Sequence, residues 1–376
     1  MINSLKPFLK NAWESSGYEN LTPIQQKTAP LITEGKDVIA ESPTGSGKTL
    51  AYILPILQEI DLDQKHVQVI ILASSHELVM QINQELQRWT TGSGITSTTL
   101  IGGANIKRQL EKLKKKPHIV LGTPGRIQEI LKLKKLKVHQ VKTLVLDEGD
   151  QLIVPEHLSI IQEVIKGTPK ERQLLLFSAT LPPTVEQLAK TFMNSPEVIR
   201  VTNKELDIPS VNHIYFVCEE RDKIETLRKV VQVNQAKALV FFRDIGTLTV
   251  MAEKLEYKGI SVGVIHGDSK KQAREQAIKE FRSGQSELLL ATDVAARGLD
   301  IQDLTHVIHM DIPNKDTQYI HRSGRTGRLG STSGTVISIV TKAEESILQK
   351  ISRKLDIPME KKVLYKGQIV DSKKDY

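Results

Sequence analysis

The eight residues Ser42-Pro43-Thr44-Gly45-Ser46-Gly47-Lys48-Thr49 decide the fold of this chain. They follow the apolar run Val38-Ile39-Ala40 and precede Leu50-Ala51-Tyr52-Ile53-Leu54, which has the composition of a helix. Strand, tight loop and helix in this order form the context that a phosphate-binding loop requires. Ser42 stands where the usual G-x-x-x-x-G-K-[ST] pattern has glycine, so the strict motif is missed by one residue.

The residue types in this loop suit phosphate chemistry. Gly45 and Gly47 allow backbone N–H groups to turn towards a phosphate, and the following helix adds the positive end of its dipole. Lys48 can reach the β- and γ-phosphates, and the Thr49 hydroxyl can bind Mg²⁺. A Gly/Ser-rich turn without a ligand is the alternative, but it leaves the Lys-Thr pair on the first helical turn unexplained. The loop therefore predicts a nucleoside triphosphate site.

Composition bounds the class of protein. The 376 residues suit two domains of about 150–200 residues each. Lysine and arginine number 52 against 44 acidic residues, and the net charge of +8 favours a polyanionic partner, nucleic acid first. Cys218 is the single cysteine, so we expect no disulfide framework and a reducing compartment. No signal-peptide pattern and no apolar run of about 18 residues is found, so we expect a cytoplasmic protein.

Short β-branched runs alternate with helical stretches, which is typical of parallel sheets with crossover helices. The polar stretch 203–210 interrupts this alternation, so we predict two α/β domains, residues 1–202 and 211–376, joined by a linker at 203–210. The predicted strands include residues 67–72, 118–121, 143–146, 173–177, 238–242, 262–265, 287–290, 306–309 and 335–339.

Two acids, Asp147 and Glu148, follow the buried-type strand 144–146. Ligands of open parallel sheets bind at the carboxyl edge, where these acids fall. Beside a phosphate loop, the first acid can serve Mg²⁺ and the second can orient or deprotonate the attacking water. An acidic helix cap is the alternative. Ser178-Ala179-Thr180 follows another strand end and is a weak signal by itself.

The second half contains the segment 291–300 and then His321-Arg322-Ser323-Gly324-Arg325-Thr326-Gly327-Arg328. Its three arginines lie within seven residues and are spaced by glycine, which makes poor packing and good phosphate clamps. We therefore expect the arginines of this segment to contact phosphate, where an arginine finger contributes about 10³–10⁵-fold in turnover. A basic surface loop is the alternative.

Together these segments resemble the DEAD-box family of ATP-dependent RNA helicases, from Leu5 to Val340. The resemblance implies two RecA-like domains, each a parallel sheet with helices on both faces, joined by a short linker. It implies ATP and Mg²⁺ as cofactors and RNA as a partner held through its backbone without sequence preference. The implied activity is local, non-processive unwinding or remodelling of short RNA duplexes, coupled to ATP hydrolysis.

The resemblance also implies roles for single residues. Tyr18 would stack on adenine, Gln25 would read its edge, and Thr22 belongs to the same segment. Nucleotide binding is implied for Ser42, Pro43, Thr44, Gly45, Ser46, Gly47, Lys48, Thr49, Asp300, Arg325 and Arg328. Catalysis is implied for Lys48, Asp147, Glu148, Arg325 and Arg328, with Thr49 and Asp147 serving the metal. RNA contacts are implied for Gly102, Gly103, Thr123, Pro124, Gly125, Arg126, Gly267, Arg274 and Thr292. Coupling of ATP state to unwinding is implied for Asp150, Ser178, Thr180 and His321.

The chain departs from the family pattern at several positions. Gly149 replaces the alanine of the family tetrapeptide, and because both are small we expect the catalytic acids to be undisturbed. The family's Pro-Thr-Arg-Glu-Leu is here Ser74-Ser75-His76-Glu77-Leu78, which puts an imidazole in place of a permanent cation. Asp244 replaces a usual threonine, and Lys271 a usual glutamine. Positions facing ATP are thus largely kept, whereas several facing RNA are altered.

Other interpretations remain open at this point. An ATP-dependent RNA clamp or chaperone without duplex unwinding is the main alternative; a DNA helicase or translocase and a P-loop kinase fit the motifs less well. Two lysine-rich stretches, 107–116 and 132–142, predict either an auxiliary RNA-binding face or a solvated surface. By analogy of fold alone, we expect a minimal bacterial-type member without tail extensions, acting as a monomer in ribosome assembly or cold adaptation.

Overall fold

The computed structural model describes residues 2–206, 211–234, 237–296, 301, 304–327 and 333–372. The chain divides into two compact units, Met1–Leu206 and Asp207–Tyr376. Each unit is built around one sheet, and the predicted α/β fold class is confirmed. Within the described ranges, no helix combines the length and the apolar composition needed to cross a membrane.

The first unit alternates strands and helices after two N-terminal helices. Its strands are β1 (Val38–Glu41), β2 (Val69–Ala73), β3 (Ser97–Leu100), β4 (Ile119–Gly122), β5 (Thr143–Asp147), β6 (Gln173–Ser178) and β7 (Glu197–Arg200). Its helices are α1 (Pro7–Ser16), α2 (Pro23–Thr33), α3 (Lys48–Glu59), α4 (His76–Trp89), α5 (Ile106–Lys114), α6 (Pro124–Lys132), α7 (Gly149–Leu152), α8 (Pro155–Gly167) and α9 (Pro183–Lys190). Short 3-10 helices cover Ile2–Ser4 and Asn203–Leu206.

The first sheet has the strand order β3-β4-β2-β5-β6-β1-β7, and every pairing is parallel. All carboxyl ends therefore lie at one edge, which we call the carboxyl edge, and all strand beginnings lie at the opposite amino edge. The register pairs Glu41 with Ser178 and Ala73 with Asp147, so the last residues of four strands are neighbours. The phosphate loop, the acid pair and the Ser-Ala-Thr segment leave the sheet from this one edge.

The second unit repeats the alternation. Its strands are β8 (Val211–Val217), β9 (Ala238–Phe242), β10 (Val262–Ile265), β11 (Leu288–Thr292), β12 (His306–His309), β13 (Gly334–Val340), β14 (Glu360–Tyr365) and β15 (Gln368–Asp371). Its helices are α10 (Lys223–Asn234), α11 (Ile245–Tyr257), α12 (Lys271–Ser283), α13 (Asp293–Ala296), α14 (Asp316–Ser323) and α15 (Lys342–Leu355), with a 3-10 helix at Glu220–Asp222. The sheet order is β10-β11-β9-β12-β13-β8-β14-β15.

Alternate residues of β9 show that both faces of the second sheet are covered. Leu239 and Phe241 pack in a core that includes residues of α12, α14 and α15. Ala238, Val240 and Phe242 pack in a second core with residues of α10 and α11. Burial on both faces explains why the parallel strands read as continuous apolar runs in the sequence.

The C-terminal hairpin of β14 and β15 is an element that the sequence did not predict. β14 runs parallel to β8 through Glu360 and Lys361, whereas β15 pairs antiparallel with β14. The hairpin turns at Lys366 (φ 47°) and Gly367 (φ 76°), which both adopt positive φ. Two-residue turns of this kind usually have the sequence Asn-Gly or Asp-Gly, so Lys-Gly is a weaker indication of a hairpin.

Candidate functional site

The phosphate loop forms in the predicted place between β1 and α3. Gly45 (φ 79°) and Gly47 (φ 89°) adopt the left-handed conformation, which non-glycine residues adopt at a cost. Gly47 is the N-cap of α3, and Lys48 and Thr49 form the first turn. The first N–H groups of a helix have no partners within the helix, so this arrangement presents donors and a positive dipole end to an anion.

Gly47 is also required by space, because the segment of Gln25 packs directly on it. A Cβ atom at Gly47 would lie 2.6 Å from Gln25 Nε2 and 3.2 Å from Thr22 Oγ1. Gln25 Nε2 donates to the Gly47 carbonyl at 3.2 Å, and Gln25 Oε1 accepts from the Thr22 N–H at 2.9 Å. The segment of Thr22 and Gln25 is therefore joined to the phosphate loop by a hydrogen bond.

Tyr18 begins the same segment and leaves 46% of its surface exposed. Its ring lies 6.0 Å from that of Trp13, and the Arg88 guanidinium lies 5.9 Å from the Tyr18 ring centroid. An aromatic face held in this way beside solvent is suited to stacking on a planar group.

Two buried hydroxyls in the loop are left without a partner among the described residues. Ser42 and Ser46 are fully buried, and neither Oγ atom has a hydrogen-bond partner. Lys48 Nζ donates to the carbonyls of Ser42 and Pro43, at 2.7 and 2.8 Å. Buried polar groups are normally satisfied, so orphaned hydroxyls beside a lysine and a helix N-terminus fit an anionic ligand such as a triphosphate.

The acid pair lies at the end of β5 as predicted. Asp147 is 4% exposed; its Oδ2 accepts from the Tyr52 hydroxyl at 2.8 Å and its Oδ1 from the Glu148 N–H at 2.9 Å. Burial raises the pKa of Asp147 to about 6; the Tyr52 hydrogen bond opposes this rise, the nearby Glu148 charge adds to it, and Lys48 opposes it.

Tyr52 connects the two residues implied to serve the metal. Its hydroxyl, on a fully buried ring, bonds to Asp147 and also interacts with the Thr49 side chain. Burial, with the Asp147 charge second, holds the pKa of Tyr52 well above its usual value, so the hydroxyl keeps its proton. Carboxylate and hydroxyl oxygens are the donors that Mg²⁺ prefers, so this pair fits the ion. Among the described residues there is no cluster of three or more His, Cys, Asp or Glu side chains that could hold a metal by themselves.

Ser74 is a site residue that the sequence interpretation missed. It follows β2 and its hydroxyl donates a short hydrogen bond to Glu148 Oε2. Glu148 has a φ of 55° and is the N-cap of α7, so its backbone is held in an unusual conformation for a non-glycine residue. The substitution of a hydroxyl for the proline of the family segment was the available signal, because proline has no side-chain donor.

The residues of the first unit that the resemblance implies for coupling form one buried network. Asp150 Oδ1 accepts from Ser178 Oγ at 2.5 Å, and its Oδ2 accepts from Thr180 Oγ1 at 2.9 Å. All three residues are less than 10% exposed. A carboxylate that accepts two hydroxyls ties the end of β6 to α7, so a movement of one shifts the other.

Close packing around position 149 explains why glycine occupies it, as at Gly47. A Cβ atom there would lie 2.6 Å from both Cγ and Cδ2 of Leu176, which is fully buried in the core of the first unit. The space that an alanine methyl would need is filled by leucine in this chain.

The residues of the first unit implied to contact RNA follow β3 and β4 at the same carboxyl edge. Gly103 adopts a φ of 72°, and a Cβ at Gly102 would lie 3.3 Å from His76 Nε2. Thr123 is the N-cap of α6, Pro124 is its first residue and Gly125 is exposed. Arg126 Nη1 donates to the Ala104 carbonyl at 3.1 Å, which joins the two loops. His76 therefore lies beside the predicted RNA-contacting loop.

The second unit corrects one prediction. Arg322, expected to face phosphate, is 2% exposed and pairs with Asp293 through Nε–Oδ1 at 2.5 Å and Nη2–Oδ2 at 2.6 Å. Its Nη1 donates to the Asp311 carbonyl at 2.8 Å, and its guanidinium lies 5.0 Å from the Phe241 ring centroid. Burial of the Arg322 guanidinium is favourable because Asp293, which follows β11, pairs with it. The glycines nearby in the sequence therefore did not prevent this arginine from packing in the interior.

Of the other predicted residues of the second unit, the structure describes Thr292, Gly267, Arg274, His321 and Arg325. Thr292 ends β11 and is 6% exposed, Gly267 is exposed after β10, and Arg274 Nη2 donates to the Ala295 carbonyl. His321 lies in α14 and Arg325 follows it, both partly exposed. Asp300 and Arg328 lie outside the described residues, as do residues 207–210 of the predicted linker.

Asp244 has a local structural role. Its Oδ1 accepts from the Thr247 N–H at 2.7 Å and its Oδ2 from Thr247 Oγ1 at 2.8 Å, which caps the N-terminus of α11. These hydrogen bonds hold the pKa of Asp244 below its usual value. The replacement of the family threonine by aspartate thus keeps a capping residue type.

Comparison with known proteins gives the family. Residues 22–188 match the DEAD/DEAH box helicase family and residues 222–330 match the helicase conserved C-terminal domain. The chain is 51% identical to a probable ATP-dependent RNA helicase, YfmL, of Bacillus subtilis, covering 98% of this chain and 97% of the relative. It is 48% identical to the DEAD-box ATP-dependent RNA helicase CshC of Bacillus cereus, covering 99% and 95%.

Solved structures agree with this relationship. Dbp5 of S. cerevisiae bound to RNA and ADP BeF3 is 30% identical, with a TM-score of 0.86, covering 95% of this chain and 94% of the other. Mss116p bound to ssRNA and AMP-PNP is 28% identical, with a TM-score of 0.83, covering 95% and 77%. With both halves matched in order and full-length relatives near half identity, the chain belongs to the DEAD-box family of ATP-dependent RNA helicases.

Proposed function

We propose that this helicase hydrolyses ATP with Mg²⁺ to separate or remodel short RNA duplexes locally and without processive movement. The observation that supports this most directly is the carboxyl edge of the first sheet, where the orphaned hydroxyls of Ser42 and Ser46 lie in a loop that also contains Lys48. The acid pair at the end of β5 lies at the same edge. One edge therefore carries groups suited to bind a triphosphate and groups suited to activate water.

The family resemblance supports the following residue roles. Residues 42–49 would bind the phosphates, Tyr18 and Gln25 the base, and Asp147 and Thr49 the Mg²⁺, which when bound neutralises charge on the phosphates. Glu148 would orient the attacking water and accept its proton. From the second unit, Arg325 and Arg328 would contribute positive charge to the γ-phosphate and Asp300 would contact the ribose. The proposed domain ranges are 1–202 and 211–376, with a linker at 203–210.

RNA is the proposed partner, and two of the similar structures are described as bound to RNA or ssRNA. The implied contacts at Gly102, Gly103, residues 123–126, Gly267, Arg274 and Thr292 involve backbone amides, hydroxyls and guanidinium groups. Such groups suit phosphate and 2′-OH recognition, which carries little sequence information. If ATP and RNA both favour the same conformation, each raises the affinity of the other by the same factor.

A second candidate is an ATP-dependent RNA clamp or chaperone that does not separate strands. It is favoured by His76, an imidazole beside the Gly102 loop where the family has a permanent cation. As for setting, we propose a monomeric cytoplasmic protein that assists ribosome assembly or cold adaptation.

The test is ATP turnover by the purified protein, alone and with single-stranded RNA or matched DNA, at two salt concentrations. Strong stimulation by RNA and little by DNA is expected. Strand separation of a short RNA duplex then distinguishes the two candidates, because a clamp would show the stimulation without separation. Absence of turnover under every condition would overturn the proposal.

A further inference from the structure

The two lysine-rich stretches of the sequence converge on one cleft at the amino edge of the first sheet. The cleft has a volume of about 550 Å³ and is lined by residues of three segments, 65–67, 107–116 and 135–140. These segments precede β2, β4 and β5, which are adjacent in the sheet. Since β5 spans five residues, about 15 Å of strand separates the cleft from the acid pair.

The rim of the cleft is strongly basic. It carries Lys65, Lys107, Lys114, Lys116, Lys135 and Lys137, against the single acid Glu111. All six lysines are exposed, and among the described residues only Lys114 forms an ion pair, with Glu111 at 2.7 Å on the same helix. Exposed ion pairs contribute little, so the field of this rim is largely uncompensated.

The floor of the cleft is apolar. Val67 and Leu136 are buried, and Leu110 and Leu113 pack against the core of the first unit while still lining the cleft. A pocket of this volume with an apolar floor and charged groups at its rim is of the size that binds small organic groups. Lysines above an apolar floor suit a ligand with a flat, uncharged part and phosphates around it.

We propose that this cleft is a second RNA-binding site, which takes a base or ribose on its apolar floor and the flanking phosphates on its lysines. The inference rests on RNA being the nucleic acid partner proposed above, but it concerns an edge that carries none of the residues implied to bind ATP or RNA. Long lysine side chains recognise phosphates as point charges, so the site binds without sequence preference and weakens as salt rises.

The test uses the full chain with Lys107→Glu, Lys114→Glu and Lys137→Glu combined, and measures binding of labelled poly-uridine RNA without nucleotide at several salt concentrations. The affinity at low salt is expected to fall about tenfold or more, and the slope of log affinity against log salt to shrink by about 2, since each lost phosphate contact contributes about 0.7. ATP turnover at saturating RNA is expected to stay unchanged in this variant. Absence of RNA stimulation in the unmodified chain would contradict the proposed function, whereas unchanged RNA affinity of the variant would overturn only the proposed cleft site.

A matched control reverses three exposed lysines of the same unit that do not line the cleft, Lys10, Lys166 and Lys190. Lys190 is paired with Glu186 at 2.6 Å, as Lys114 is with Glu111, so the two variants remove the same charge and one ion pair each. Equal weakening by the two variants would overturn the proposal, because it would reduce the effect to total charge.

Single substitutions separate charge from stability. Lys116 lines the cleft with a φ of 53°, and Lys134, after α6, has a φ of 56° without lining it. Glycine is favoured in this conformation, so Lys116→Gly and Lys134→Gly are both expected to raise the thermal unfolding midpoint. Only Lys116→Gly is expected to weaken RNA binding by more than the loss of one surface charge. Tighter binding of polyglutamate than of poly-uridine at equal charge would overturn the assignment to RNA and favour an acidic protein.

Discussion

The acids at the carboxyl edge of the first sheet and the lysines at its amino edge differ in how many partners they have. At the carboxyl edge, Asp150 accepts hydroxyls from Ser178 and Thr180, and Asp147 accepts from Tyr52, all at hydrogen-bond distance. At the amino edge, one lysine of the six around the cleft has an ion-pair partner within the described residues. We therefore expect function at the carboxyl edge to depend on atomic position, and RNA binding at the proposed cleft to depend on the local charge of its rim. The two edges should differ in tolerance to substitution and in response to salt.

The largest expected effect tests atomic position at Glu148, the proposed proton acceptor. Glu148→Gln removes the proton acceptor while keeping the shape, so ATP turnover is expected to fall by about 10²–10⁴-fold. Single-turnover hydrolysis in the presence of RNA measures this. RNA affinity without nucleotide should stay at the wild-type value, because the cleft lies at the other edge. Turnover at the wild-type rate would show that Glu148 does not have the proposed role.

The next effect concerns the second unit, where Arg322 pairs with Asp293, the residue directly after β11. Arg322→Met leaves a partly buried carboxylate without its partner, and breaking such a pair typically costs about 3–5 kcal/mol of unfolding free energy. Circular dichroism during denaturation measures the loss, which should be nearly equal at low and high salt because the arginine is buried.

Arg353→Met is the matched control, since Arg353 is exposed on α15 of the same unit. Both tryptophans of the chain, Trp13 and Trp89, lie in the first unit, so tryptophan fluorescence follows the unfolding of the unit that neither substitution changes. If the loss of unfolding free energy in Arg322→Met disappeared at high salt, this buried pair would respond to salt as exposed charges do. That result would contradict the comparison between positioned and exposed charges.

A smaller effect tests how tightly the carboxyl edge is packed. Gly149→Ala restores the family tetrapeptide but brings a methyl within 2.6 Å of Leu176, so overpacking is expected to cost about 1–3 kcal/mol. Denaturant unfolding followed by tryptophan fluorescence measures the change. Combining it with Leu176→Val should recover part of the loss, giving a coupling energy of about 0.5–3 kcal/mol. Simple additivity of the two changes would rule out this contact as the cause.

The smallest effect concerns Ser74 as a positioning residue. Ser74→Ala removes the donor to Glu148, and a loss of about 1 kcal/mol of positioning corresponds to roughly fivefold in kcat. The KM for ATP should not change, and Ser74→Thr should restore the rate by restoring the hydroxyl. Equal rates for Ser74→Ala and the wild type would mean that the Glu148 backbone alone positions the carboxylate.

Sequence predicted the features that depend on local pattern. The strands 238–242, 262–265 and 306–309 are reproduced residue for residue, because each is a short, largely apolar run with polar residues at or directly beside its ends. The phosphate loop and the acids 147 and 148 followed from spacing along one βα pattern. Their meeting at one edge follows from the parallel topology and needs no further information.

Features that depend on distant partners were not predictable in this way. The glycine spacing led us to expect that Arg322 faces phosphate. The local pattern did not show its partner, Asp293, because that residue lies 29 positions away in the chain. Ser74 reaches Glu148 across 74 residues, and the contact of Gly149 with Leu176 requires the packed core. The lysine cleft was visible as two separate stretches, but whether they shared a surface depended on the order β4-β2-β5.

If Gln25 contacts the base as proposed, its hydrogen bond to the Gly47 carbonyl links the base to the phosphate loop. A base that drew the Gln25 amide out of position would also pull on the residue that caps α3 and on the N–H groups that follow it. A base that fits Gln25 poorly would then displace the backbone N–H groups that are proposed to bind the phosphates. Discrimination between nucleotides would then appear in the rate of hydrolysis as well as in the strength of binding.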